Sequence, residues 1–87
     1  MRIRTTPAFL RQANRTLKKN PQLREPLREA LIKLTADPYQ ASLKTHKLKG
    51  DLKDFWSCSV TFEIRLRFKL TEDALELIDL GTHDEVY

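Results

Sequence analysis

The segment from Leu43 to Leu70 decides the fold, and it reads LKTHKLKGDLKDFWSCSVTFEIRLRFKL. From Trp56 onward, apolar residues occupy every even position up to Leu70, and polar or charged residues occupy the odd positions. Strict alternation of this kind predicts that one set of side chains is buried against a β-sheet while the other faces solvent. Because the run is too long for one ordinary strand, we expect two antiparallel strands that turn near Val60–Glu63.

The residues before this segment predict one strand and two helices. Met1–Thr5 alternates and is short enough to be a first strand, and Thr6-Pro7 is a typical helix start. Asn20-Pro21 repeats that signal for a second helix, which Pro38 ends. Pro26 leaves two alternatives: either this helix begins near Pro26, or its first turn is bent there.

The remaining elements complete an α+β fold. A second strand is expected near Leu43–Lys49 with a turn at Gly50-Asp51, and Ala74–Leu80 predicts a last strand that Gly81 breaks. The predicted order is β-α-α-β-β-β-β, a two-helix hairpin packed on a largely antiparallel sheet of four to five strands. At 87 residues, the chain should form a single domain over residues 1–87.

Composition excludes several classes of protein. No apolar run approaches the roughly 18 residues of a membrane span, and the first residues lack the apolar core of a signal peptide, so we expect a cytoplasmic protein. Cys58, the one cysteine, falls on the apolar face of a strand and is interpreted as a packed thiol rather than a nucleophile. One cysteine and two separated histidines do not make a standard zinc site, so neither a metal nor another cofactor is expected.

Charge is distributed unevenly along the chain. Residues 1–53 contain 13 Lys/Arg and 4 Asp/Glu, a balance of +9, whereas residues 54–87 contain 3 and 8, a balance of −5. A basic half of this kind favours nucleic acid, the ribosome or an acidic protein as partner. The alternative interpretation is an ordinary solvated surface on the two helices.

The odd positions of the alternating run bring charged groups onto one face. Glu63, Arg65 and Arg67 share that face, and His46 precedes it among four lysines, Lys44, Lys47, Lys49 and Lys53. Fixed cations beside acid–base groups are typical of a surface that binds a polyanion. Glu63 could instead form a cross-strand ion pair with an arginine. Trp56 could stack on a base, but its even position favours the core.

The chain resembles the RelE/ParE superfamily of toxin–antitoxin toxins, and within it the YafQ-like mRNA endonucleases. The resemblance depends on KTHKLKG at 44–50, on residues 55–70, and on Gly81-Thr82-His83 followed by an aromatic residue at Tyr87. In that branch a histidine precedes a Leu-x-Gly turn, an acid lies on the strand pair, and Gly-Thr-His precedes a terminal aromatic. These positions correspond to His46, Glu63, His83 and Tyr87. The chain departs from the pattern at Ser59, where some members have a further histidine, and at Glu63, where members have aspartate.

The resemblance implies a ribosome-dependent endoribonuclease that cleaves mRNA by metal-free acid–base catalysis and is inhibited by a cognate antitoxin. His83, His46, Glu63, Arg65 and Tyr87 are the expected catalytic residues, with Arg65 at the scissile phosphate; Lys44, Lys47, Lys49, Lys53 and Arg67 are expected to bind RNA. Histidine suits either proton-transfer role because its ordinary pKa is about 6.5. His83 could also be an ordinary polar loop residue, and Tyr87 part of a frayed chain end.

Two other functions remain open from the sequence. One is a ParE-like toxin that acts on DNA gyrase by binding, without enzymatic activity. The other is a basic protein that only binds RNA or ribosomes. The two histidines and the Gly-Thr-His segment favour cleavage over gyrase binding.

Overall fold

The structure, a computed structural model, describes residues 2–48 and 55–82. They form strand β1 (Arg2–Arg4), helix α1 (Pro7–Lys19), a 3-10 turn (Pro21–Leu23), helix α2 (Arg24–Ala36), a second 3-10 turn (Ala41–Leu43), and strands β2 (His46–Lys47), β3 (Trp56–Ser59), β4 (Ile64–Leu70) and β5 (Ala74–Thr82). The strands make a five-stranded sheet in the order β1-β5-β4-β3-β2. β1 and β5 are parallel, and the other neighbours are antiparallel. The predicted α+β fold and element order are confirmed.

Helix α1 begins where the sequence predicts it. The Thr6 hydroxyl accepts a hydrogen bond from the Phe9 backbone N–H at 3.0 Å, and Pro7 occupies the first helical position. Pro7 costs nothing there because a backbone N–H at that position would have no partner within the helix. Neither helix among the described residues is long and apolar enough to span a membrane.

The second helix accommodates Pro26 in its first turn. A 3-10 turn follows Asn20, and α2 begins at Arg24, so Pro26 is the third helical residue. The first four N–H groups of a helix lack partners within the helix, so proline removes no hydrogen bond at this position. The helix therefore begins close to Pro26, as one of the two sequence interpretations has it. Its end at Ala36 agrees with the stop predicted at Pro38.

The hydrophobic core lies between the helices and one face of the sheet. It is formed by apolar side chains that are at most 7% exposed: Phe9, Ala13, Leu27, Ala30, Leu34, Leu43, Cys58, Leu66, Phe68, Leu75, Leu77 and Leu80. Trp56 is half-buried against this cluster and meets Tyr39 edge-on, with ring centroids 5.5 Å apart. The interpretation of Trp56 as a packing residue is thus confirmed.

The alternation in the central run is confirmed at most positions and fails at two, one in the turn and one in β3. The turn at 60–63 closes with a hydrogen bond from the Val60 N–H to the Ile64 carbonyl, 2.9 Å long. Phe62, predicted to be buried, is 87% exposed, because the period of two ends where the backbone turns. Ser57, predicted to face solvent, is fully buried, because its short side chain lies between the longer side chains of its cross-strand partners His46 and Arg67.

The predicted strand boundaries need three corrections. β1 (Arg2–Arg4) ends before Thr5, and Met1 lies outside the described residues. β2 begins at His46 rather than Leu43, because Leu43 ends a 3-10 turn and Lys44 adopts a left-handed conformation with φ 51°. β5 does not break at Gly81. It continues to Thr82, because both residues pair with β4. The predicted turn at Gly50-Asp51 lies outside the described residues.

Candidate active site

The sheet face opposite the helices presents two parallel rows of polar residues. Directly paired residues project to the same side of a sheet, and these residues alternate with the core residues of the same strands. The first row crosses four strands and comprises His46, Ser57, Arg67 and Asp79. The second row crosses three strands and comprises Ser59 and Arg65, together with Gly81, which has no side chain. We call this surface the open face.

Arg67 is held in an internal ion pair. Its Nε donates to Asp79 Oδ1 at 3.0 Å, and its Nη2 contacts Asp79 Oδ2. The two side chains are 17% and 26% exposed, and the Phe55 ring lies 4.9 Å from the guanidinium carbon. Asp79 thus neutralises the arginine that the sequence singled out for RNA binding.

Asp79 faces Arg67 because of a β-bulge. The register between β4 and β5 shifts at Arg67/Phe68, which pair with Asp79 and Leu77, so that Ile78 is an extra residue. Without the extra residue, Asp79 would point to the same side as Leu77, which is in the core. The bulge therefore places the carboxylate on the open face.

We expect Asp79→Asn to destabilise the fold by about 2 kcal/mol, because it leaves a largely buried guanidinium without its counter-charge. For a domain of this size the melting temperature should fall by roughly 10 °C. Urea unfolding of the two proteins measures the difference. Asp73→Asn is the matched control, since Asp73 pairs with Arg2 at 3.6 Å with both side chains at least 70% exposed. Equal stability of the two variants would contradict the structural role of Asp79.

Arg65 is held differently. Its Nη1 donates to the Ser59 hydroxyl at 2.6 Å, and that hydroxyl donates to the Thr61 carbonyl at 2.9 Å. No carboxylate among the described residues forms an ion pair with Arg65, and its buried Nε has no hydrogen-bond partner. Gly81 pairs with Arg65 on the other side and adds no side chain to the open face. Arg65 thus keeps its positive charge and part of its donor capacity for a ligand.

His46 lies at the far edge of the open face. It is exposed, and its Nδ1 is 3.2 Å from the Lys44 carbonyl. Two strand spacings, roughly 10 Å, separate the strands of His46 and Arg65. Lys44 and Lys47 are exposed beside it, and the Lys47 ammonium is 6.0 Å from the centroid of the Trp56 ring. His46 therefore borders the open face, whereas Lys47, which pairs with Trp56, projects to the helix side of the sheet.

Glu63 belongs to a separate feature. It is exposed in the β3–β4 turn and lines a groove of about 460 Å³ between this turn, the end of β5 and helix α1. We call this the α1 groove; Arg15 and Lys19 also line it, and sequence reasoning did not assign them to a site. Their spacing of four residues on one helix face is the signal that could have identified them.

Four of the predicted site residues, Lys49, Lys53, His83 and Tyr87, lie outside the described residues. Thr82, the last described residue of β5, pairs with Ile64 and lines the α1 groove. His83 follows it directly in the sequence.

Cys58 lies on the core side of the sheet. The side chain is 1% exposed, and burial, opposed by the positive charge of Arg65, raises the pKa of the thiol to about 12. The thiol therefore stays protonated at neutral pH, whereas a nucleophilic cysteine reacts as the thiolate. The prediction of a packed thiol is confirmed.

Solved structures share this fold, and a family model assigns the chain. The YoeB/ParE toxin from Agrobacterium tumefaciens matches with a TM-score of 0.81 at 21% identity, covering 95% of this chain and 99% of that chain. YafQ from E. coli matches with a TM-score of 0.75 at 24% identity, over 100% and 99% of the two chains. The E. coli DinJ-YafQ complex matches with a TM-score of 0.74 at 24% identity, with the same coverage of the two chains.

The chain has no match among curated proteins. The model for YafQ, a bacterial toxin of type II toxin–antitoxin systems, matches residues 1–87, and the chain therefore belongs to the YafQ family.

Proposed function

We propose that this toxin is a ribosome-dependent endoribonuclease that cleaves mRNA without a metal ion. Membership of the YafQ family supports a toxin, and the charge of Arg65 on the open face, with the exposed Lys44 and Lys47 at the β2 edge, supports an RNA substrate. The proposed site extends from Arg65 toward the end of β5, where the chain continues into His83.

The contrast between Arg65 and Arg67 carries the proposal. Both lie on β4 on the open face, but Asp79 neutralises Arg67, whereas Arg65 is held only by the neutral hydroxyl of Ser59. A hydroxyl orients a guanidinium without neutralising its charge. Such a preorganised cation is suited to stabilise the extra negative charge that a phosphate acquires during cleavage.

The proposed reaction is attack of the ribose 2′-oxygen on the adjacent phosphorus. A base removes the 2′-hydroxyl proton, the bond from phosphorus to the 5′-oxygen breaks, and an acid protonates that oxygen, leaving a 2′,3′-cyclic phosphate and a 5′-hydroxyl. His83, His46, Glu63 and Tyr87 are the proposed proton-transfer and positioning groups. His83 is the preferred proton-transfer group because in the sequence it directly follows Thr82, the last described residue of β5, and Gly81 of the same strand pairs with Arg65.

Primer extension on cellular mRNA after induction of the toxin tests the proposal. We expect discrete cuts in register with codons, and we expect them to disappear in purified mRNA without ribosomes. Growth arrest with intact mRNA and inhibited DNA gyrase would instead support a ParE-like toxin. Ribosome binding without cuts or growth arrest would leave only a basic RNA-binding protein.

We further propose that an antitoxin inhibits this protein, and that Phe62 is one of its anchors. Phe62 is 87% exposed at the tip of the β3–β4 turn and lines a second groove, of about 330 Å³, with Ala30, Lys33 and Lys44. Glu29 is the one carboxylate in the described lining, so this groove keeps a net positive charge, and an exposed aromatic residue beside it suits a partner segment that combines apolar and acidic residues. The solved E. coli DinJ-YafQ toxin-antitoxin complex shows that a structural relative binds an antitoxin protein.

We expect Phe62→Ser to weaken the antitoxin complex about 10- to 100-fold, because removing a buried aromatic anchor typically costs roughly 1.5–3 kcal/mol. Co-purification with the protein encoded by the adjacent gene, followed by calorimetry, measures the affinity. Ile32→Ser is a matched control, since Ile32 is also exposed, at 53%, but does not line this groove. Equal affinities for the two variants would remove Phe62 from the interface.

A further inference from the structure

The α1 groove is built from cations and amides over a buried apolar floor. Arg15 and Lys19 stand one helical turn apart on α1, and Glu63 and Thr82 contribute from the sheet side. Leu23 and Leu80 in the lining are at most 8% exposed. Its volume of about 460 Å³ is within the range of roughly 300–1,000 Å³ that is typical of pockets for small organic ligands.

We propose that the α1 groove binds the phosphodiester backbone of the mRNA strand next to the nucleotides that are cleaved. This inference rests on the proposed function and adds a second RNA-binding site to it. In this assignment Arg15 and Lys19 contact phosphate oxygens, and the exposed amide of Gln22 is available to a sugar or a base.

Gly81 connects the groove to the open face. It pairs with Arg65 across β4 and β5, and it also lines the α1 groove. Because glycine has no side chain, nothing at position 81 projects between the Arg65 guanidinium and the groove. The Arg65–Gly81 pair is therefore common to the open face and to the edge of the α1 groove, and this adjacency places the groove beside an RNA strand whose scissile phosphate lies at Arg65.

Charge favours an anionic occupant. Arg15 and Lys19 are exposed, and neither forms an ion pair within residues 2–48 and 55–82. Glu63 is the one carboxylate in the described lining, so the groove keeps a net positive charge. Two cations about one helical turn apart, roughly 5–6 Å, suit neighbouring phosphate oxygens of a single strand.

The lining favours RNA over an antitoxin helix. An amphipathic helix needs apolar surface on which to pack, but the leucines of this groove are already buried in the protein. Gln12 and Asn20 instead add polar side chains at the rim. The exposed apolar anchor, Phe62, lies in the second groove. The chemistry of the α1 groove is that of a site for a single-stranded polynucleotide.

A pair of double variants tests this proposal by cleavage kinetics on ribosomes programmed with mRNA. We expect Arg15→Gln/Lys19→Gln to lower kcat/KM about tenfold, since two exposed charge contacts are lost. The control, Arg11→Gln/Lys18→Gln, removes the same charge from exposed positions of the same helix that do not line the groove, and should change kcat/KM little. In a plot of log(kcat/KM) against log[salt], the slope should become shallower in the groove variant by about 1.4. Each phosphate contact on a single strand contributes roughly 0.7 to this slope, and two contacts are lost. Equal kinetics and slopes for the two variants would overturn the proposal.

A photo-cross-linking amino acid at Gln22 identifies the occupant, with Asn14, exposed on α1 outside the groove, as the control position. We expect the Gln22 probe to label mRNA on programmed ribosomes and the Asn14 probe not to do so. Label on ribosomal RNA, on a ribosomal protein or on the antitoxin, or no label at all, would overturn the assignment. If the Gln22 probe labels mRNA but the parent protein cuts none, the proposed reaction fails while the groove stands. If the parent protein cuts mRNA and the groove variant equals its control, the groove alone fails.

Discussion

Arg65→Ala should slow cleavage of ribosome-bound mRNA by about 100-fold or more while leaving ribosome binding nearly unchanged. A preorganised cation at the reacting phosphate acts mainly on the transition state, and the loss of one such group typically costs 10²- to 10³-fold in rate. Arg65 meets the structural requirement because it is fixed by Ser59 and no described carboxylate neutralises it. Single-turnover cleavage and ribosome co-sedimentation of the same preparations give the two quantities.

Two further variants sharpen this test. Arg65→Lys keeps the charge but loses the planar guanidinium and its hydrogen-bond geometry, so we expect an intermediate rate. Arg28→Ala is the charge control, since Arg28 is exposed on α2 and its one ion pair within the described residues is with Glu25, at 3.8 Å. Arg67→Ala is unsuitable as a control, because it leaves Asp79 without its partner and tests stability instead. A loss of ribosome binding equal to the loss of cleavage would assign Arg65 to docking.

Local patterns are sufficient to predict most of this fold. The Thr6-Pro7 signal identifies the start of α1, and the alternation from Trp56 identifies the hairpin of β3 and β4. These predictions succeed because capping geometry and side-chain periodicity depend on neighbouring residues along the chain. Phe62 shows where that reasoning ends, since no period applies within a turn.

The site is harder to predict because it depends on register between strands. The bulge at Ile78 decides that Asp79 faces Arg67, and no feature of Ala74–Leu80 alone reveals it. Nor does glycine at position 81 end the strand, because ladder hydrogen bonds to β4 outweigh the conformational freedom that glycine loses. Two arginines that are equivalent in the alternating pattern therefore have different surroundings, one neutralised and one not.

The α1 groove was missed for a related reason. Arg15 and Lys19 are recognisable from sequence as the outer face of an amphipathic helix, which is ordinarily solvated. Only the packing of α1 beside the end of β5 converts this helix face into the wall of a groove. The Leu80 N–H, which donates to Gln12 Oε1 at 2.9 Å, fixes that packing across 68 residues of sequence.

His83→Ala should abolish mRNA cleavage and growth inhibition, with a rate loss on the order of 10²- to 10⁴-fold, and leave the fold and antitoxin binding intact. Removing a general acid or base typically costs this much. The expectation depends on position: His83 follows Thr82, and Thr82 pairs with Ile64 one residue beyond the Gly81–Arg65 pair. Melting temperature and antitoxin affinity measured on the same variant separate a chemical defect from a folding defect.

Chemical rescue then identifies the role of the side chain. If His83 transfers a proton, imidazole added to the reaction should restore part of the cleavage by His83→Ala, because the small molecule can occupy the vacated space and titrates in the same range. Imidazole should not rescue Arg65→Ala, whose missing group is a fixed cation rather than a proton carrier. His46→Ala provides the comparison within one residue type, since His46 lies at the far edge of the open face. If His83→Ala remains as toxic as the parent at equal expression, proton transfer belongs to another residue, and His46 and Glu63 become the next candidates.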